Sequence, residues 1–343
     1  MFKAMLAKMM ERKNLTRDEA YLMMKEILSG NATPSQISCF ISLVTFRGVE
    51  AEELIGLTEA MRDFAQILPV QTHYPIVDTC GTGGAGAKTF NVSTASALVA
   101  SSTGLRVAKH GNRAVTSQTG SADVLQELGL EVDLTPEEMA RCLEEYHMCF
   151  MFAPLYHQAM RFAATTRKEI GIRTVFNLLG PMTNPAGAKH QVIGVFDFKY
   201  SLIMAEALRE LGSEHVLIVA AEDGLDEFSI ASSTRVTELK DGEIRQYSIE
   251  PEDVGITRIS SLESLRVSSP VQSAEVITRI LRGEEKGSAY DMVCYNAGAA
   301  LYVGKKVANI AEGVQLARQA IDSKQALEHY LKMRMVRGAV ENA

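Results

Sequence analysis

Between Ile76 and Thr94 the chain reads IVDTCGTGGAGAKTFNVST, a short apolar run followed by glycines, hydroxyls and one lysine. This mixture suits phosphate. The backbone N–H groups of a glycine turn, nearby hydroxyls and the N-terminus of a following helix all offer donors to an anion. Gly81, Gly83 and Gly86 satisfy the dinucleotide pattern G-x-G-x-x-G, but that reading needs an acid about 20 residues further on for the ribose hydroxyls. From Thr79 to Ala122 there is no Asp or Glu, so it fails. The ATP loop G-x-x-x-x-G-K-[ST] fails as well, because Ala87 stands where a glycine must precede Lys88-Thr89. What survives is an acid-free window carrying Lys88, Arg106, Lys109 and Arg113 in a chain of net charge -7. With Thr89, Ser93 and Thr94, the basic turn from Lys109 to Arg113 reads as a cradle for a multiply phosphorylated small molecule.

The elements that must position this turn alternate. Short apolar runs at 75–77, 105–108, 191–196 and 215–219 read as buried parallel strands, with helical patterns at 96–102, 122–128 and 202–211 between them. That rhythm implies an α/β fold with ligands at the carboxyl ends of its strands. Helices precede it. Thr16 and Glu19 form a capping box, Thr33-Pro34-Ser35-Gln36 opens a second helix, and a third starts near Val49-Glu50. The expectation is a small N-terminal all-helical domain, residues 1–70, and a larger α/β domain with a central, mostly parallel sheet, residues 73–343. The excursion from about Arg161 to Ala188 folds back on this reading, so that 165–188 joins the helical domain. Met5, Met9, Met10, Met23 and Met24 read as core or subunit packing.

With 343 residues and 46% hydrophobic content the chain can build a full core. Its acidic balance argues against a general nucleic-acid binder. The five cysteines are odd in number and show no C-x-x-C pair, as expected of free thiols in a reducing cytoplasm. The opening MFKAMLAKMMERKN has no long apolar run, which fits neither a secretory signal nor a membrane anchor.

Several motifs together resemble one family. Asp78-Thr79-Cys80-Gly81-Thr82-Gly83-Gly84 with Thr89-Phe90-Asn91-Val92-Ser93-Thr94 resembles the phosphoribosyl-diphosphate loop of the anthranilate phosphoribosyltransferases. Lys109-His110-Gly111-Asn112-Arg113, followed by Gly120-Ser121-Ala122-Asp123, is similar to their second motif. The runs from Arg167 to Gly171 and from Arg173 to Pro181 resemble the third, and Asp223-Gly224-Leu225-Asp226-Glu227 the metal motif. The stretches 296–303 and 320–323 resemble the closing helices, so the likeness spans essentially the whole chain in order. Two positions depart from the family. Ala85 stands where G-T-G-G-D-G has its aspartate, which removes a negative charge beside the diphosphate. Gln158 follows the histidine where proline is common.

The resemblance implies a nucleoside phosphorylase/phosphoribosyltransferase-like fold and a transfer of phosphoribosyl from its 1-diphosphate to the amine of anthranilate, in L-tryptophan biosynthesis. For phosphoribosyl diphosphate it implies Gly81, Gly83, Gly84, Thr89, Asn91, Val92, Ser93, Thr94, Lys109, His110, Gly111, Asn112, Arg113, Ser117 and Ser121. For anthranilate it implies Gly81, Asn112, His157, Arg167, Gly180 and Pro181, with Arg167 as the donor fork for the carboxylate. Ser93, Asp226 and Glu227 are the implied ligands of Mg2+, two ions per subunit; taken alone, Asp226-Glu227 reads more readily as an ordinary acidic surface loop, and only the ordered set of motifs reverses that. No catalyst of proton transfer is assigned, since the acceptor amine is already neutral: His110 either takes a proton or orients its loop. His157 either lines the anthranilate entrance or packs. A cytoplasmic homodimer joined through the helical domain is expected, with no nucleic-acid or membrane partner. A pyrimidine-nucleoside phosphorylase, a non-catalytic nucleic-acid-binding relative and a transferase for another aromatic amine are the alternatives.

Overall fold

The computed structural model describes residues 1–70, 73–84, 86, 89–114 and 119–335. Ala85, Ala87, Lys88 and Ser117 lie outside the described residues. Four helices open the chain: α1 (Phe2–Met10), α2 (Arg17–Leu28), α3 (Pro34–Arg47) and α4 (Ala51–Asp63). α2 and α3 start at the expected capping boxes. The Thr16 and Thr33 hydroxyls accept from the Glu19 and Gln36 N–H groups, whose side chains bond back to the cap N–H. α1 is one helix more than the three expected. It has no side-chain cap, but Ala, Met and Lys are strong helix formers, and Phe2, Met5 and Met9 bury one face of it.

From β1 (Ile76–Asp78) strands and helices alternate through α5 (Val92–Ser102), β2 (Arg106–Gly111), α6 (Ser121–Glu127), α7 (Pro136–Tyr146), β3 (Met148–Phe152) and α8 (Ala153–Tyr156). There follow α9 (Arg161–Ile170), α10 (Val175–Met182), β4 (His190–Gly194), α11 (Ser201–Glu210) and β5 (His215–Ala221). A hairpin of β6 (Thr234–Lys240) and β7 (Glu243–Ile249) comes next. Then come α12 (Pro270–Leu281), α13 (Ser288–Val303), α14 (Ile310–Asp322) and α15 (Gln325–Arg334). The seven-stranded sheet runs β3-β2-β1-β4-β5-β6-β7. Its first five strands are parallel and the last two antiparallel.

One sheet face packs against α5 and the C-terminal helices, with Val107, Leu217, Val99, Val293 and Val314 in one cluster. The other face, through Ile193, Val216 and Ile218, shares a single cluster with α10, α11 and the N-terminal bundle. α9 packs on α2 and α3, and α10 on α3 and α4. The loops after β1, β2, β4 and β5 therefore gather at one sheet edge, facing the turn between α9 and α10 across a cleft.

Candidate active site

The cleft floor is built by backbones in close approach. At Gly194, the end of β4, an added Cβ would stand 1.7 Å from the Asp226 carbonyl oxygen. Only glycine lets the loop after β5 cross there. The Thr82 N–H donates to the Gly194 carbonyl at 2.8 Å, and the Phe196 N–H to the Thr82 hydroxyl at 3.0 Å. These contacts pin the glycine turn against Asp226, whose Oδ2 lies 3.4 Å from where a Gly81 Cβ would be. At the N-terminus of α5 the Ser93 N–H donates to Glu227 Oε1 at 3.0 Å. Asn91 is held by Ser273, which accepts from its N–H and donates to its Oδ1, both at 2.9 Å.

Asp226 and Glu227 lie deep in the site yet line the cavity. Burial, and then Asp226 beside it, pushes the Glu227 carboxyl up to about 8. Burial also raises Asp226, with Arg173 opposing. Neither forms an ion pair among the described residues. Lys109 is buried beneath the turn, its ammonium donating to the Thr79 carbonyl (2.9 Å), the Thr79 hydroxyl (3.1 Å) and Ser93 Oγ (3.2 Å). Two adjacent carboxylates kept from full solvation, with a serine hydroxyl near, are a hard-oxygen set that a divalent cation would stabilise. Among the described residues no three His, Cys, Asp or Glu side chains form a metal cage. Two carboxylates and a hydroxyl are the kind of partial oxygen set with which Mg2+ keeps water or substrate phosphate among its ligands.

The opposite wall comes from α9 and the turn after it. Arg167 stacks on Phe176 at 4.9 Å, and burial lowers its guanidinium from the usual value. The cavity holds about 930 Å³ and is lined by Gly81, Gly83, Gly84, Thr89, Asn91, Ser93, Asn112, Ser121, Arg167, Asp226 and Glu227 of the expected residues. Val92, Thr94 and Lys109 are buried below it. His110 and His157 sit together outside that lining, with ring centroids 5.0 Å apart. His110 Nδ1 is 3.2 Å from the Gly180 carbonyl oxygen, which belongs with Pro181 to the last turn of α10. Gly111 packs against Phe150 and Ser121. Arg113 turns to α6, donating to Asp123 Oδ1 at 2.9 Å and Gln126 Oε1 at 2.7 Å.

Several residues in this site had no role assigned from sequence. Thr119, Arg173, Asn177 and Asn296 also line the cavity. Asn296 braces the loop after Glu227, accepting from the Phe228 N–H and donating to the Phe228 carbonyl, both at 3.0 Å. Its signal was an amide in the middle of an apolar helix. Asp78 is fully buried at the end of β1 and accepts from the His110 N–H (3.1 Å) and from Asn184 Nδ2 (2.7 Å). Burial raises its carboxyl to about 6.

Residues 73–327 match the family model described as the a/b domain of a glycosyl transferase family, and residues 3–65 the helical bundle domain of a glycosyl transferase family. An anthranilate phosphoribosyltransferase of Geobacillus sp. (strain WCH70) is 51% identical over 335 residues, covering 98% of each chain. Another, of Shouchella clausii (strain KSM-K16), is 47% identical over 343 residues and covers all of both. The chain belongs to the anthranilate phosphoribosyltransferase family. The crystal structure of the family member from Thermus thermophilus superposes with a TM-score of 0.91 at 40% identity, over 96% of this chain and 98% of that one. The Saccharomyces cerevisiae enzyme, in complex with PRPP and Mg, superposes with a TM-score of 0.87 at 26% identity over 97% of each. Of the two departures from the anthranilate phosphoribosyltransferase pattern, Gln158 is accommodated at the start of a short 3-10 turn, where its Nε2 donates to the Leu155 carbonyl at 3.3 Å.

Proposed function

We propose that the chain transfers the phosphoribosyl group of 5-phospho-α-D-ribose 1-diphosphate (PRPP) to the amine of anthranilate. The products are N-(5-phospho-β-D-ribosyl)-anthranilate and diphosphate, in the second step from chorismate in L-tryptophan biosynthesis. One observation carries the reading. A single cavity of about 930 Å³ sets a glycine turn, a helix N-terminus and a half-buried carboxylate pair opposite a stacked arginine.

The glycine turn of Gly81, Gly83 and Gly84, with Thr89, Asn91 and Ser93, binds the diphosphate through N–H and hydroxyl donors. Asn112 and Ser121 serve the rest of PRPP, with Lys109 holding Thr79 and Ser93 in place from below. Asp226, Glu227 and Ser93 would hold Mg2+, two ions per subunit. When bound, Mg2+ neutralises charge that develops on the departing diphosphate. The PRPP and Mg complex of the yeast relative supports the use of Mg2+ with this substrate. Arg167 receives the anthranilate carboxylate as a bidentate partner. Gly81 and Asn112 border that pocket, and His157, Gly180 and Pro181 are assigned to its margin, outside the cavity lining. As the C1–O bond breaks, its electron pair leaves with diphosphate, and the neutral amine bonds to C1. The proton comes off the resulting cationic amine, which is acidic enough that no strong base is required. Holding both substrates in line supplies much of the acceleration.

We further read residues 1–70 with 165–188 as the helical domain and 73–343 as the α/β domain. Phe46, 86% exposed, and Met10, 67% exposed, lie on the bundle and support a homodimer joined there. Free cysteines support a cytoplasmic setting. Among the described residues no helix is long and apolar enough to cross a membrane. The test follows anthranilate fluorescence in a mixture of protein, PRPP and Mg2+. Loss requiring all three is expected. Fluorescence that stays constant over a wide range of Mg2+ and PRPP concentrations would refute the assignment.

A further inference from the structure

Arg173 is a cleft cation to which the chemistry above gives no task. It lies between Gly171, the C-cap of α9, and Thr174, the N-cap of α10, on the helical wall. Its guanidinium reaches across to the α/β side, stacking on Phe196 at 5.1 Å. It also covers the backbone of Gly84, where an added Cβ would stand 2.9 Å from its Nε. Gly84, at φ +80°, is thus required twice, for its backbone conformation and for the space the arginine takes.

Among the described residues Arg173 forms no hydrogen bond or ion pair. The turn it covers belongs to the window from Thr79 to Ala122, which has no acid, so no loop side chain neutralises it. Asp226 is the carboxylate that feels its charge. A guanidinium laid over a glycine turn, beside a carboxylate pair suited to Mg2+, presents several donors to an anion seated on that turn. Arg167 stacks elsewhere, on Phe176, so the two arginines address different groups.

Resting on the PRPP reading of this cleft, we propose that Arg173 binds the leaving diphosphate from the helical side and stabilises its charge as the C1–O bond breaks. The arginine thereby couples the turn between α9 and α10 to the occupancy of the glycine turn.

Calorimetric titration with Mg2+ and diphosphate, without turnover, tests this on the parent protein and on Arg173→Gln and Arg173→Lys. Diphosphate affinity is expected to fall roughly 10- to 100-fold in Arg173→Gln, the range for losing a charge-assisted hydrogen bond, and to recover partly in Arg173→Lys. In steady state kcat/KM for PRPP falls while the KM for anthranilate holds. Unchanged diphosphate affinity in Arg173→Gln, with a parent that binds normally, overturns the inference and leaves the functional reading intact. A rise confined to the anthranilate KM overturns it too, by moving the arginine to the acceptor. A parent that binds neither diphosphate nor PRPP overturns the functional reading itself, and this inference with it.

Discussion

His110 and His157 are packed ring to ring where neither keeps a proton at neutral pH. Burial holds His157 down at about 4. Burial, then His157 and Lys109, holds His110 at about 3. Among the described residues both Nε2 atoms are buried without a hydrogen-bond partner. The pair therefore offers neutral imidazole edges, and His110 is tied to its surroundings through its N–H to Asp78 and its Nδ1 to the Gly180 carbonyl. The folded-state values lie below the unfolded value of about 6.5. As pH falls through that value the unfolded chain takes up protons first, so stability declines with acid until the folded histidines titrate too. By that linkage each ring costs about 2 kcal/mol between pH 7 and pH 5. His157→Gln is expected to flatten the fall in urea midpoint over that interval; a slope equal to the parent's would show that the ring is not held neutral. At this scale the sequence displayed the glycine turn, the carboxylate pair and Arg167, because their types and order are distinctive. Arg173 and Asn296 open stretches of the resemblance but carry no legible role, because their meaning comes from what they touch: Gly84 and Phe196 for one, the Phe228 backbone for the other.

Among the elements, α10 connects the helical wall to the site. Its last turn carries Gly180, Pro181 and Met182, and the carbonyl of each meets a side chain from elsewhere. His110 meets Gly180, Gln191 donates to Pro181 at 2.7 Å, and Arg62 of α4 donates to Met182 at 2.8 and 3.0 Å. A further Arg62 contact reaches the Leu211 carbonyl at 3.5 Å, just past α11. Arg62 is a positioning residue, because it fixes the end of the helix that presents Gly180 and Pro181. Arg62→Met keeps its aliphatic bulk and leaves the Met182 carbonyl without those donors. The expected loss is about 1–3 kcal/mol of stability, with a higher KM for anthranilate and a nearly unchanged KM for PRPP. Equal changes in both constants would assign Arg62 to folding alone. Caps or buried β-branched runs made α2, α3, β1, β2, β4 and β5 legible, whereas α7 went unassigned despite its Thr135-to-Glu138 capping box. α1 escaped because it has no cap. β3 (MCFMF) escaped because five apolar residues carry neither period. The β6–β7 hairpin did carry a readable signal in Asp241-Gly242. Both residues have positive φ, 52° and 84°, as a two-residue type I′ turn between strands requires.

Across the whole molecule, two domains legible as separate patterns turn out to share one core. The sequence marks a helical stretch and an alternating stretch, yet the faces they bury cannot be read from either alone. In the structure Leu54, Phe40 and Ile41 of the bundle belong to the same buried cluster as Ile193, Val216 and Ile218 of the sheet, with α10 and α11 between them. Independent unfolding of the bundle would strip α10 and α11 of their cover, which the apolar surface opposes at roughly 25 cal/mol per Å² exposed. Separate domains often melt in steps; here the shared face favours one transition. Leu54→Ala, a fully buried truncation in α4, is expected to cost about 2–5 kcal/mol. It should move the far-ultraviolet helical signal and the near-ultraviolet tyrosine signal together in urea. The tyrosines make that comparison sharp, because Tyr156, Tyr290 and Tyr295 are buried outside the bundle's cluster. An early loss of helix with the tyrosine signal left in place would mean that the bundle melts on its own and that the shared core does not bind the two patterns into one unit.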